Sequence, residues 1–382
     1  MSWDAWVAQQ LEEITSSGRH RRNRVFDAAG PQGTIEGRSV VSFASNDYLG
    51  LSVHPALAAA AKEAIDRWGT GSTASRLIVG TRPGHAAIEA DLAQWKQCEA
   101  ALVFSSGFAA NVGVLGSLGG VGVTVFSDAL NHASIIDGCR LSRSELAVYR
   151  HGDVAHLRSL LAAATGRKIV VTDTVFSMDG DVAPIGELVN ACAEHGALLV
   201  LDEAHAVLGP ELTRTCPAGV VRVGTLSKTL GSLGGFVAAT SPMVELLVNR
   251  ARSLIFTTAL SPADVAAGRA GLAIVRSAEG DALRARLRAN IDRLRPGHRS
   301  PIVPIVIGDE AAAMAISARL QERGVLVPAI RPPTVPVGSS RLRIALSSAH
   351  TAEMMDLLQE QLGDVGLLDG DGFIDQRWTT IA

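Results

Sequence analysis

Cysteine is scarce in this chain. The four that occur, Cys98, Cys139, Cys192 and Cys216, are scattered, with no CxxC pair. That spacing excludes a disulfide framework and suits reduced thiols in a cytosolic protein. The histidines, cysteines and acidic residues show no metal-ligand spacing, so no metal is expected. Charge of one sign is also lacking: a net charge of −3 gives no electrostatic case for nucleic acid. The start, Met1-Ser2-Trp3-Asp4-Ala5-Trp6, has no basic run followed by an apolar core and does not read as a secretory signal. From Ala100 to Ser127 no residue is charged, which raises the question of a membrane span. Gly107, Gly113, Gly116, Gly119, Gly120 and Gly122 break that stretch. It reads instead as strand, turn, small-residue helix and second strand, and no membrane partner is expected.

What is present is apolar bulk: 47% of 382 residues, enough for a large core and two domains. Residues 1–24 begin as a helix and end in a basic run, Arg19, Arg21, Arg22 and Arg24. The run is either a solvated face or a cationic patch where an acidic substrate enters. Val40 to Phe43 reads as a short strand, and His54 to Trp68 as a helix with Pro55 in its first turn and Gly69 past its end. From residue 84 to about 240, short apolar strands alternate with helices: Ala101–Phe104, Val123–Ser127, Leu146–Tyr149, Ile169–Asp173, Leu198–Asp202, Val221–Thr225 and Gly235–Thr240. Near-continuous apolar runs of that length suit strands covered on both faces. The alternation predicts an α/β fold with a mainly parallel, doubly wound sheet whose ligands sit beyond the carboxyl ends of the strands. Residues 243–295 read as long helices, and the pattern after Pro296 as a smaller α+β unit. The expected division is an N-terminal helix and substrate-entrance segment (1–45), a large domain (46–295) and a small C-terminal domain (296–382).

Chemistry concentrates around Lys228, in Thr225-Leu226-Ser227-Lys228-Thr229-Leu230-Gly231. Upstream, Asp202-Glu203-Ala204-His205 directly follows the apolar run Ala197 to Leu201. A buried carboxylate needs a cationic partner, and a protonated pyridine nitrogen is one. A lysine among hydroxyls and glycines is suited to lose its proton and bind an aldehyde. Together these are the requirements of a pyridoxal phosphate site, with hydroxyls and backbone N–H groups holding the phosphate. Ser105-Ser106-Gly107-Phe108 lies between a strand and a helix, where free N–H groups can face a phosphate. His132 follows a strand and could stack on a planar cofactor, although a capping or core histidine is the plainer reading of that position alone. Ser177, at another strand end, could donate to a cofactor oxygen, and His205 could reach the ring's phenolic oxygen. A DExH-type nucleotide hydrolase is the competing reading of Asp202 to His205. It needs a P-loop, and the Gly69 to Arg76 loop has no lysine.

Six motifs taken in order make the chain resemble the α-oxoamine synthases, which are fold-type I pyridoxal phosphate enzymes of aspartate aminotransferase-like fold. They are Asn46-Asp47-Tyr48-Leu49-Gly50, Ser106-Gly107-Phe108, Asn131-His132-Ala133-Ser134, Asp202-Glu203-Ala204-His205, Thr225-Leu226-Ser227-Lys228 and Arg341-Leu342-Arg343. The resemblance implies that Lys228 carries the cofactor and later removes the substrate's α-proton. It implies that Asp202 pairs with the pyridinium, that His132 stacks on the ring, and that Ser177 and His205 contact the phenolic oxygen. Gly107, Phe108 and Thr225 would hold the phosphate, with Thr257 and Thr258 reaching it from the other subunit of a homodimer. Asn46 and Arg343 would bind the amino acid, and Thr334 would line the substrate site. Where the family has an arginine that helps bind the acyl substrate, ungapped alignment gives His20, so Arg21 is the expected replacement. Ser227 stands where the family commonly has glycine.

Within the family, the Met-Ser-Trp start and Pro332-Pro333-Thr334-Val335-Pro336 point to the biotin-pathway branch. That branch condenses L-alanine with a pimeloyl thioester, carried by coenzyme A or acyl carrier protein, with loss of carbon dioxide. The rivals are glycine C-acetyltransferase, 5-aminolevulinate synthase and serine palmitoyltransferase. From another class, a pyridoxal phosphate-binding regulatory module would need a DNA-binding domain ahead of the first motif.

Overall fold

The computed structural model describes residues 1–210, 212 and 219–379, so Cys216 lies outside the described residues. Helix α1 (Trp3–Ser16), capped by the Ser2 hydroxyl, is followed by three short strands, β1 (Phe26–Ala28), β2 (Gln32–Ile35) and β3 (Arg38–Ser42). Helix α2 (Pro55–Trp68) starts on the His54 imidazole, which accepts from the Ala56 N–H, and stops at Gly69. Helix α3 (Pro83–Lys96) leads into the large sheet.

That sheet holds β4 (Ala100–Phe104), β5 (Val123–Asp128), β6 (Glu145–Tyr149), β7 (Arg167–Asp173), β8 (Leu198–Asp202), β9 (Val220–Thr225) and β10 (Gly235–Ala239). They lie in the order β4-β10-β9-β8-β7-β5-β6. β5 to β9 run parallel, and β10 is antiparallel to both neighbours. The uncharged stretch from Ala100 to Ser127 is β4, then helix α4 (Gly107–Leu118), then β5. No helix among the described residues is long and apolar enough to cross a membrane.

Side chains alternate along each strand, so the sheet has two apolar faces. Val125, Val171, Val200, Val221 and Val223 pack on one side with Ala110 and Val114 of α4 and Ile135 of helix α5 (Ala133–Leu141). Phe126, Val170, Leu199, Leu201 and Val220 pack on the other, under helices Val154–Ala163 and Ile185–His195. This parity decides where the polar residues at the strand ends point. Asp173 is in phase with Val171, Asp202 with Val200 and Thr225 with Val223, so all three face α4 and α5.

The C-terminal part adds β11 (Ile302–Gly308), β12 (Val325–Leu326), β13 (Ala329–Ile330) and β14 (Ser340–Ala345). β14 lies between β11 and β13. β12 pairs in parallel with β3, completing a sheet with β1 and β2. Residues 26–42, set apart in the sequence as an entrance segment, are therefore hydrogen-bonded to the C-terminal part.

Candidate active site

Lys228 sits in the loop between β9 and β10, on the α4 and α5 side of the sheet. Its Nζ lies 2.8 Å from His205 Nε2. Burial pulls the amine below the ordinary lysine value, against the opposing pull of the Asp202 and Asp173 carboxylates. Asp202, at the end of β8, is buried. Its Oδ2 accepts from Asn111 Nδ2 at 2.6 Å, and its Oδ1 from the Ala204 N–H at 2.9 Å. Asn111, on α4, also donates to Ser134 Oγ at 2.9 Å. Ser134 in turn lies 2.7 Å from His132 Nδ1. His132 caps α5 by accepting from the Ser134 N–H, while its own N–H donates to Asp173 Oδ2 at 2.8 Å. The capping reading of His132 therefore holds, and the cap also fixes an exposed imidazole beside the Asp202 cluster. Burial first, and then the Asp202 charge, raise the Asp173 carboxyl well above the usual range.

Helix α4 begins beside this cluster. Ser106 Oγ accepts from the Ala109 N–H and the Ser106 carbonyl from Ala110. Among the described residues, the Gly107 and Phe108 N–H groups are left without an acceptor, as an anion site at a helix start requires. A Cβ on Gly107 would lie 3.5 Å from Thr225 Cβ, so this turn rests against the end of β9. A Cβ on Gly235 would come within 2.5 Å of the Gly107 nitrogen, so only glycine lets β10 pass so close. The Thr225 hydroxyl donates to the Gly234 carbonyl at 2.8 Å and accepts from the Ser227 N–H at 3.1 Å. The exposed Ser227 adds a hydroxyl 2.6 Å from it.

The Arg343 side of the site is contributed by β14. Arg343 is buried. Its Nη2 donates to Asn46 Oδ1 at 3.0 Å and its Nε to the Ser177 carbonyl at 2.5 Å. Tyr48, fully buried, joins this group to the lysine. Its hydroxyl lies 3.0 Å from Asn46 Oδ1 and 2.6 Å from His205 Nδ1. Asn46, Arg343, His205 and Lys228 are thus one connected group, with the Ser177 backbone attached. Tyr48, Asn111, Ser134 and Asp173 complete the network, although sequence reasoning assigns none of them a role. The only hint for Tyr48 and Ser134 was their place inside quoted motifs.

Four expected residues stand apart. Thr257 is half-buried and Thr258 exposed, after the short helix Arg252–Ile255, and neither bonds to the Lys228 cluster. Thr334 is exposed in the loop before β14. Arg21 is exposed and makes no ion pair among the described residues. By contrast, Arg19 pairs with Glu310, and Arg22 and Arg24 pair with Glu36. Glu203 turns away from the site entirely, to Lys96 at 2.8 Å and Arg222 at 2.6 Å.

The donor set fits pyridoxal phosphate. The buried Asp202 suits a pyridinium, the lysine amine an aldehyde, and the free N–H groups of α4 a phosphate. The aminotransferase class I and II family matches residues 38–362. The chain is 50% identical over 369 residues to the 8-amino-7-oxononanoate synthase of Anaeromyxobacter dehalogenans, covering 92% of this chain and 93% of that protein. Its structure is similar to that of a serine palmitoyltransferase from S. paucimobilis with bound PLP and myriocin. That match has 30% identity and a TM-score of 0.86, over 95% of this chain and 98% of the other. It is also similar to 8-amino-7-oxononanoate synthase from Francisella tularensis, with 27% identity and a TM-score of 0.70, over 85% of this chain and 98% of that one.

Proposed function

The chain belongs to the aminotransferase class I and II family, and on that premise we propose that it is a pyridoxal phosphate-dependent acyltransferase of biotin synthesis. It joins L-alanine to a pimeloyl thioester of coenzyme A or acyl carrier protein. The products are 8-amino-7-oxononanoate, carbon dioxide and the free thiol. The fold is the fold-type I transferase architecture that the resemblance implied. The observation that carries the reading is the connected group from Arg343 through Asn46, Tyr48 and His205 to Lys228, in a chain half identical to a synthase of that name.

Bound at Lys228, pyridoxal phosphate supplies an electron sink for the carbanion left when an amino acid loses its α-proton. Lys228 would anchor the cofactor through its amine, and the same amine is placed to take the substrate's α-proton; its burial favours the neutral form this needs. Asp202, oriented by Asn111 and the Ala204 N–H, would keep the pyridine nitrogen protonated. His132 would pack against the cofactor's ring, and Ser177 and His205 would serve its phenolic oxygen. The N–H groups of Gly107 and Phe108 would hold the phosphate, joined by the Thr225 hydroxyl once it turns from the Gly234 carbonyl. Arg343 and Asn46 take the carboxylate of alanine, the guanidinium in two-pronged fashion. Thr334 lines the acyl side, and Arg21, which makes no ion pair among the described residues, meets the acyl donor. Thr257 and Thr258 act across the interface of a cytoplasmic homodimer, which accounts for their lack of contact with Lys228 in their own chain.

Thiol release measures the reaction directly. Pimeloyl- and acetyl-coenzyme A are each offered with L-alanine, glycine and L-serine. Release confined to alanine with the pimeloyl donor is expected. Release with glycine and the acetyl donor would reassign the chain to glycine C-acetyltransferase chemistry.

A further inference from the structure

The polarity of the group linking Arg343 to Lys228 follows from elementary hydrogen-bond chemistry. A guanidinium can only donate, so the Asn46 atom 3.0 Å from Arg343 Nη2 is the amide oxygen. An amide oxygen can only accept, so the Tyr48 hydroxyl, 3.0 Å from it, donates its one proton there. The Tyr48 oxygen is then an acceptor toward His205 Nδ1 at 2.6 Å, which must carry a proton. A neutral imidazole protonated at Nδ1 is bare at Nε2. Lys228 Nζ, 2.8 Å away, is left as the donor.

We propose that Tyr48 is a positioning residue that fixes the Nδ1–H tautomer of His205, transmitting the polarity of the Arg343 and Asn46 pair to Lys228. The inference deepens the proposed function and rests on it for the role of Lys228. Tyr48 is 157 residues from His205 in sequence, and its hydroxyl reaches Lys228 only through the His205 ring. Its hydroxyl is completely buried, so water cannot replace either bond. The charged and titratable groups facing His205 and Lys228 are Arg343, His132, Asp202 and Asp173. Burial first, and then the Lys228, Arg343 and His132 charges, hold His205 well below the ordinary histidine value, so the ring is neutral and its tautomer is a real choice. A bare Nε2 favours the protonated amine, whereas an Nε2–H tautomer would donate, and only a neutral lysine nitrogen can accept. Tyr48 therefore sets the pH at which Lys228 becomes a free amine.

The test is nitrogen-15 NMR of the histidine side chains in the full chain, before and after loading with pyridoxal phosphate. His205→Gln identifies the His205 signal among the ten histidines by its loss. The wild type is expected to show His205 protonated at Nδ1. Tyr48→Phe, which removes one oxygen and little volume, is expected to move the proton to Nε2. In the same variant, the pH midpoint for capture of pyridoxal phosphate by the cofactor-free chain should fall by about one unit. An Nε2–H tautomer in the wild type overturns the proposal without any variant. An unchanged tautomer and midpoint in Tyr48→Phe overturns it as well. Thiol release by the wild type reports separately on the catalytic reading, so either can fail while the other stands.

Discussion

Asp202 and Glu203 are neighbours in sequence and face opposite sides of the large sheet. Asp202 turns to Asn111 on α4 at 2.6 Å, and Glu203 turns to Lys96 and Arg222 at 2.8 and 2.6 Å. One carboxylate faces the candidate site and the other a buried pair of cations, and on the proposed function this separation gives them different mutant signatures.

Glu203→Ala should cost about 3–5 kcal/mol of stability, because it leaves two buried cations without their anion. Burial pushes the Glu203 carboxyl up, but Lys96 and Arg222 outweigh it and hold it below the usual range. Its folded value is depressed, so its contribution is present above the ordinary glutamate range and is lost as pH falls through the folded value. Thermal unfolding between pH 7 and pH 3 checks this: the variant should lose most of its deficit at the acid end.

Asp202→Asn should keep the fold: its amide oxygen can still accept from the Ala204 N–H, and a flip of the Asn111 amide, whose oxygen has no partner among the described residues, lets that oxygen accept from the new NH2. Turnover should drop on the order of 10²–10³-fold, the scale expected when a preorganised charge at the reacting group is removed. Rapid-quench rates for the loaded variant, with its melting temperature as control, separate the two effects.

Much of this was legible in the sequence. The strands of the large sheet announced themselves as short apolar runs, because strands covered on both faces need no polar alternation; β6, at the sheet edge, is an apolar run although Leu146 and Val148 are exposed. Lys228, Asp202 and His205 were legible because burial makes polar residues conspicuous among apolar ones. β1 and β2 were not: they are three and four residues long and largely exposed, so they carry no apolar pattern. Tyr48 was quoted in a motif yet given no role, since its partner His205 meets it only through the tertiary fold. Arg341 and Arg343 share one face of β14, and nothing local distinguishes them. The structure sends Arg341 to Asp179 and Arg343 to Asn46.

Arg343→Lys should raise the KM for alanine by about 10–100-fold, because a lysine cannot reproduce the two-pronged grip and charged hydrogen bonds are worth roughly 1.5–3 kcal/mol. Initial rates at varied alanine and saturating acyl donor check this, with a smaller effect expected on kcat.

His151 links pH to stability on the alkaline side. Burial lowers its tendency to charge, but its ring N–H groups donate to Asp128 at 2.9 Å and Asp181 at 2.8 Å, which overrides this and raises it from 6.5 to about 10. The folded value is raised, so its contribution is full below about pH 6.5 and is lost as pH rises through about 10. Urea unfolding across that window should show a decline that His151→Gln removes.

The chain has four lysines, Lys62, Lys96, Lys168 and Lys228, so the position of the cofactor can be read without ambiguity. The decisive measurement is borohydride reduction of the pyridoxal phosphate-loaded protein, followed by peptide mass spectrometry. The account predicts one phosphopyridoxyl group per chain, on Lys228, and none on Lys228→Ala. A group on Lys96, or equal labelling of the exposed lysines, would contradict a site built around Lys228 and Asp202.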